Sequence, residues 1–159
     1  MIAFASRLSH FLGRRSVIVA SASVPFSADP LGPRADALAA ALHRDRRQVA
    51  RVHLPASDGP EDADHQRAAI QALDLRNSCA MLVCLGYPAL LLPHANKRVW
   101  LADAVPPLGP GELAALRSAT HLFASSASLV SALGRGYGLD AAVLDPETVP
   151  EQAARRLTA

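Results

Sequence analysis

One short stretch of the sequence concentrates side chains that could do acid–base and anion-binding chemistry. His94, Asn96 and Lys97 lie close together, directly before an apolar run that contains the single tryptophan. A histidine titrates near neutral pH and can act as a general base, while a lysine can anchor a phosphate or a carboxylate. The stretch therefore predicts ligand binding through His94 and Lys97. The alternative is a polar loop at the edge of a sheet, which is the commoner role for each residue taken alone.

Two other loops offer further ligand contacts. The loop Ser27 to Gly32 contains Asp29 and precedes a predicted helix, so its backbone N–H groups could approach a phosphate or an acceptor. It lacks the G-x-G-x-x-G pattern of dinucleotide-binding turns, so NAD binding is not expected, and the commoner role for Gly32 is that of a turn glycine. Ser125 could bind a ligand through its hydroxyl, although helix capping by Ser125 or Ser126 explains the same residues. Asp29, Gly32 and Ser125 are thus predicted as binding residues.

Other kinds of chemistry are not predicted. The sequence contains neither a P-loop nor a G-x-S-x-G turn, and it assigns no catalytic residue. His53, His65 and His121 lack the spacing of metal ligands, so they are interpreted as structural or exposed, and no metal or cofactor is expected. Cys79 and Cys84 are too few for a disulfide framework, and they predict two buried thiols in a reducing compartment.

The net charge and the N-terminal residues of the chain indicate which binding partners and which cellular compartment to expect. A net charge of +2 gives no argument for nucleic-acid binding. Residues 1–15 form a candidate amphipathic helix or extension ending in Arg14 and Arg15, which could touch a membrane surface but more often would pack on its own domain. The order of charged and apolar residues does not fit a secretory signal, and no apolar run is long enough to span a membrane. We therefore expect a cytoplasmic protein.

These candidate residues depend on the elements that would position them, and strand-like and helix-like patterns alternate along the chain. The predicted strands are 16–20, 49–54, 79–85, 97–102, 121–124 and 141–144. The predicted helices are 34–43, 61–73, 112–118, 125–133 and 149–157, with Gly134 or Gly136 ending the fourth. The continuous apolar run 79–85 is typical of a central parallel strand covered on both faces. The alternation predicts one α/β domain over residues 1–159, a Rossmann-like three-layer fold with a mostly parallel sheet of about six strands.

The order of segments from Ile70 to Pro146 resembles the N-terminal domain of family-4-type GT-B glycosyltransferases. Pro93–Leu101, with the sequence PHANKRVWL, is similar to their "hpnKvvWl" stretch and is the most specific piece. The other pieces match in the same order and are Ile70–Leu75, which resembles "iraldl", the turn Gly86–Ala89, and Phe123–Ser126 with Tyr137–Pro146 near the end of such domains. Together they cover about half of the chain.

The resemblance implies an acceptor-side domain that binds a sugar acceptor and works with a donor-domain partner chain, or by self-association, in sugar transfer from a nucleotide sugar. The glycine-rich first turn of the family is replaced here by Ser27–Gly32, and the histidine-containing segment after the tryptophan is replaced by Ala102–Pro106. The chain ends at Ala159, where the donor domain would begin, so we expect it to be inactive as a transferase alone. The alternative is a non-catalytic interaction or regulatory module that kept the fold and lost the chemistry.

Overall fold

The fold is built on one parallel β-sheet. The computed structural model describes residues 16–23, 31–56, 62–101 and 108–159. The strands are β1 Ser16–Ser23, β2 Gln48–Pro55, β3 Met81–Leu85, β4 Lys97–Leu101, β5 His121–Ala124 and β6 Ala142–Val143. All neighbouring strands pair in parallel, in the order β2-β1-β3-β4-β5-β6. The predicted Rossmann-like sheet of about six strands is therefore confirmed.

Helices cover both faces of this sheet. Within the described ranges they are α1 Gly32–Arg44, α2 Ala63–Gln71, α3 Pro110–Arg117, α4 Ala127–Tyr137 and α5 Pro150–Thr158. A 3₁₀ turn, Ala89–Leu91, connects β3 to β4. Helices α1 and α5 pack on one face, while α2, α3 and α4 contribute to the core on the other. None of the helices in the described part of the chain is long and apolar enough to cross a membrane.

The strands are apolar because the sheet is covered on both sides. All five residues of β3 are buried, as expected for a central strand. Successive side chains point to opposite faces, so Ile18 and Leu82 join the α2–α4 core while Val17 and Val83 join the α1–α5 core. Within the described residues both cysteines are free thiols and buried, which confirms the prediction of two buried thiols.

The end of α4 differs from its prediction. The sequence predicts that this helix ends at Gly134 or Gly136, and this is wrong, because it continues to Tyr137. Gly138 then takes the left-handed conformation, with φ of +63°, and its N–H donates to the carbonyl of Gly134 at 3.0 Å. A glycine inside a helix costs only about 1 kcal/mol, so packing carries the helix through two of them. The third glycine ends it, since the left-handed turn favours glycine.

Two side chains of β4 hold the C-terminal segment. The Arg98 guanidinium donates from Nη1 to the carbonyl of Leu157 at 2.6 Å. The Trp100 indole donates from Nε1 to the carbonyl of Leu144 at 3.0 Å. Because residues two apart on a strand share a face, both donors reach the segment that carries α5.

The chain changes direction across the sheet between β2 and β3. Strand β2 lies on one side of β1, and β3 lies on the other. In open α/β sheets, ligands bind at the carboxyl ends of the strands beside such a switch point. The carboxyl edge around β1 and β3 is therefore the position that this topology favours for a ligand.

Candidate functional site

A serine and a histidine form a hydrogen bond at the carboxyl edge. Ser23 is the last residue of β1, and its Oγ lies 2.7 Å from Nε2 of His53 on β2. His53 is paired with Ser21 in the strand register, so the imidazole reaches diagonally toward the end of β1. Ser23 is half-buried and His53 is exposed. An imidazole and a hydroxyl at this separation can exchange a proton, and the ring is open to a ligand from solvent.

A row of polar contacts supports this pair from the middle of the sheet. Arg51, two residues before the histidine, donates to the carbonyl of Val19 at 3.0 Å and to Oγ of Ser21 at 3.1 Å. Its Nε donates to Oδ1 of Asp36 on α1 at 2.8 Å. Arg51 thus ties β1, β2 and α1 together directly below the serine and the histidine. The separation of the pair is therefore set by paired strands, which position side chains more accurately than loops do.

Gly86 lets α1 begin close to the end of β3. Its φ is +67°, and a Cβ on this residue would lie 2.7 Å from Cδ1 of Leu31. Its N–H donates to the carbonyl of Trp100 at 3.0 Å, and its own carbonyl accepts the N–H of Leu90 at 3.1 Å. The next residue, Tyr87, is 38% exposed. The switch point therefore places a glycine turn and an exposed tyrosine beside the end of β1.

An ion pair joins α2 and α3 on the opposite face. Arg67 donates from Nη2 and Nε to Oε1 of Glu112 at 2.8 and 3.1 Å, and its Nη1 lies 2.6 Å from Oδ1 of Asp64. The side chain of Glu112 is 8% exposed, whereas that of Asp64 is 91% exposed. The hydrogen bond and the charge of Glu112 raise the pKa of Arg67 above its ordinary value, with smaller contributions from Tyr87 and Asp64 and an opposing one from burial. These charges are satisfied within the protein and hold two helices together.

Two of the five residues predicted as ligand contacts lie at the carboxyl edge. Ser125 follows β5 and lines an open depression of about 370 Å³. The adjacent Ser126 caps α4, since its Oγ accepts the backbone N–H three residues on at 3.2 Å, as the capping alternative predicts. Gly32 is buried and is the first residue of α1. A ligand contact at Ser125 or Gly32 stays a prediction, and Asp29 lies outside the described residues.

His94 and Lys97 lie at the amino edge, where their side chains make contacts inside the domain. Nε2 of His94 is 3.1 Å from the carbonyl of Cys79, and its Nδ1 accepts the N–H of Asn96 at 3.0 Å. These two partners select the neutral ring with its proton on Nε2. Lys97 is 1% exposed, donates to the carbonyl of Leu90 at 2.9 Å, and has its pKa lowered by burial. The structure does not bring these two residues together with those of the carboxyl edge, and a ligand role for them stays a prediction.

The sequence alone does not single out Ser23 and His53. The apolar run predicts β1 only as far as Ala20, and the small residues after it carry no apolar signal. The strand continues because it pairs with β2 over its whole length. The signal that was available is the alternation that puts Ser21 and Ser23 on one face of β1, opposite Arg51 and His53 on β2.

The nature of the domain follows from its fold. Among the residues that the structure describes, no three His, Cys, Asp or Glu side chains come together in a way that could hold a metal ion. Neither the models of known protein families nor the curated proteins give a match to this sequence. Fold and strand order define the chain as a Rossmann-like α/β domain with six parallel strands.

Proposed function

We propose that this chain is the acceptor-side domain of a glycosyltransferase of the GT-B type, with its acceptor bound at the carboxyl edge beside His53. The observation that carries the proposal is the 2.7 Å hydrogen bond between Ser23 and an exposed imidazole at the ends of two parallel strands. The resemblance of Pro93–Leu101 and its neighbouring segments to that family adds to it. Such a domain acts with a donor domain, which holds the nucleotide sugar.

His53 is the general base of this proposed reaction. The acceptor hydroxyl attacks the anomeric carbon of the sugar, and the bond from that carbon to the nucleotide diphosphate breaks. The hydroxyl proton passes to the oxygen of Ser23, which gives its own proton to Nε2 of His53 at the same time. The leaving diphosphate is stabilised by groups of the donor domain. The 2.7 Å separation between Oγ and Nε2 is within the range that proton transfer requires.

A second candidate function is a non-catalytic interaction or regulatory module with the same fold. The contacts of Pro93–Leu101, the segment most similar to the glycosyltransferase family, favour this second function. Its residues His94, Lys97 and Trp100 each form a hydrogen bond with a backbone carbonyl within the domain. Folding alone therefore accounts for these residues. In that case the serine and the histidine form only a contact between two strands.

A sugar titration followed at the histidines separates the two functions. The chain is labelled with ¹⁵N-histidine and titrated with a panel of methyl hexopyranosides, while the ring resonances are recorded. The proposal expects saturable shifts at His53 and none at His65, which is exposed on α2. His53→Ala should abolish binding, and His65→Ala should leave it unchanged. Absence of saturable binding to every sugar in the panel would favour the non-catalytic module.

A transfer assay tests the role of the base. The wild-type chain, immobilised and incubated with an extract of its source organism, should retain a donor-domain partner and transfer a labelled sugar from a nucleotide sugar. Loss of a general base lowers rates by roughly 10²–10⁴-fold, so His53→Ala should reduce transfer to that extent. Transfer at the wild-type rate by a folded His53→Ala chain would remove His53 from the mechanism. Size-exclusion chromatography of the purified chain distinguishes partner binding from self-association.

A further inference from the structure

A cleft of about 270 Å³ opens between α1, α5 and the carboxyl end of β4. Trp100, which is 2% exposed, forms its floor, and Leu38, Val149 and Ala153 contribute apolar walls. Arg34, in the first turn of α1, lies over the indole with its guanidinium carbon 5.5 Å from the ring centroid. The cleft thus combines one positioned cation with an apolar enclosure.

Arg34 makes a cation–π contact with Trp100 that leaves its N–H donors available for hydrogen bonding. A guanidinium carries five N–H donors in its plane, and its face is what packs on an aromatic ring. Within the described ranges the cation–π contact with Trp100 is the contact that Arg34 makes, and no described side chain or carbonyl accepts its N–H groups. Two other arginines, by contrast, have carboxylate partners, since Arg44 bonds to Glu151 and Arg51 to Asp36. The N–H donors of Arg34 are therefore not used by any acceptor in the described part of the chain.

One acidic residue shares the cleft. Glu147 lines it, is exposed, and forms no ion pair with Arg34, while its backbone N–H donates to Oδ1 of Asp145 at 2.7 Å. Its carboxylate places a negative charge at the rim. This negative charge in the same cleft repels anions, which favours a ligand with a single anionic group over a polyanion.

We propose that this cleft binds a small organic anion, with a phosphate or carboxylate group on Arg34 and an apolar body against Leu38, Val149 and Ala153. Arginine binds such oxygen pairs in a bidentate manner, and the volume is that of a small ligand or of the end group of a larger one. The site is separate from the acceptor site proposed above, because Trp100 lies on β4 and β3 stands between that strand and β1. It does not depend on the proposed function.

Trp100 is the single tryptophan of the chain, so the tryptophan fluorescence comes entirely from the indole that lines this cleft. Titration with phenyl phosphate, and separately with benzoate, is expected to change the emission with saturation. Benzyl alcohol, which lacks the charge, is expected to give no saturable change. Arg34→Gln should weaken anion binding by about tenfold or more, since it removes a charge-assisted hydrogen-bond pair. The ratio of the two affinities identifies which anionic group the cleft prefers.

Two matched variants control for charge and for the other site. Arg135→Gln removes the same charge from an exposed position on α4 and should leave the titration unchanged. Ser23→Ala should leave it unchanged as well, because that serine belongs to the proposed acceptor site. Circular dichroism confirms that each variant is folded. The proposal is overturned if neither anion gives a saturable response, if benzyl alcohol binds equally well, or if folded Arg34→Gln responds as the wild type does.

Discussion

Gly86 at the end of β3 lies so close to Leu31 at the start of α1 that a Cβ on the glycine would come within 2.7 Å of Cδ1 of the leucine. The close approach occurs beside the switch point of the sheet, where the first crossover helix begins. A single missing side chain thus allows the helix to start directly above the central strand.

Gly86→Ala should destabilise the domain. Its φ of +67° costs a residue with a Cβ about 1–2 kcal/mol, and the contact with Leu31 adds to that cost. We expect the free energy of unfolding, measured by urea titration, to fall by about 2 kcal/mol or more. Gly136→Ala is the matched control, since no heavy atom lies within 4 Å of a Cβ there, and it should stabilise α4 by about 0.5–1 kcal/mol. Equal stability of Gly86→Ala and the wild type would contradict the expectation.

The two carboxylates on Arg67 should differ in their effect on stability. Glu112→Gln weakens an ion pair whose acidic member is 8% exposed, and it should cost about 1–3 kcal/mol of unfolding free energy. Asp64→Asn weakens a contact whose acidic member is 91% exposed, and it should cost less than about 0.5 kcal/mol. Urea titrations of both variants at one salt concentration make the comparison. A larger loss for Asp64→Asn would show that the pair with Glu112 is not the main contact.

Buried Lys97 should make stability rise with pH on the alkaline side. Burial lowers its pKa from the ordinary value of 10.5, so the unfolded chain binds more protons between the folded-state pKa and 10.5. Unfolding free energy therefore increases with pH through that window, by at most about 1.4 kcal/mol per pH unit. Lys97→Met removes this contribution. The free energy of unfolding of the wild type minus that of the variant should therefore increase as the pH approaches 10.5.

A direct measurement completes that test. Lys97 is the only lysine in the sequence, so ¹³C-lysine labelling gives a single side-chain resonance to titrate. The cysteines also titrate at alkaline pH, and the charge of Lys97 lowers the pKa of Cys84, so both proteins in the comparison carry Cys84→Ser. A folded-state pKa at or above 10.5 would refute the lowering by burial.

The two cysteines should be unreactive in the folded chain. Burial raises the pKa of Cys79 to about 11 and that of Cys84 to about 12. At pH 8 the reactive thiolate of Cys79 is therefore about 0.1% of the total. A disulfide reagent should label the native chain far more slowly than the denatured chain, and Cys79 should react before the fully buried Cys84. Fast labelling of Cys84 in a Cys79→Ser variant would contradict this.

Much of the fold can be predicted from local pattern because burial on both faces leaves a strong signal. The apolar run 79–85 contains β3, whose residues are all buried, and only its first two residues lie outside the strand. The termination of α4 could not be predicted as well, because Gly134, Gly136 and Gly138 are equivalent in sequence terms. They differ only in the folded structure, where Gly134 and Gly136 lie inside the helix and Gly138 takes the left-handed conformation that ends it.

The candidate site could be predicted only in part, since its contacts join distant segments. Ser23 and His53 are 30 residues apart, and they meet through the register of β1 with β2. Local sequence shows that His94 and Lys97 are polar residues at the start of a strand. It does not show that both side chains form hydrogen bonds with backbone carbonyls of other segments. Residue types in the sequence indicate which chemistry is possible, whereas the register of paired strands determines which side chains lie close enough to act together.

The two donors of β4 have a consequence for the far end of the sheet. Strand β6 is only two residues long, and the chain continues from it into α5. Arg98 and Trp100 reach past β5 and fasten both ends of that terminal segment, at Leu157 and Leu144. Helix α5 is therefore anchored by side chains of the inner strand β4 and does not depend on the outermost strand β6 alone. This explains how β6 can be only two residues long while α5 stays packed on the sheet.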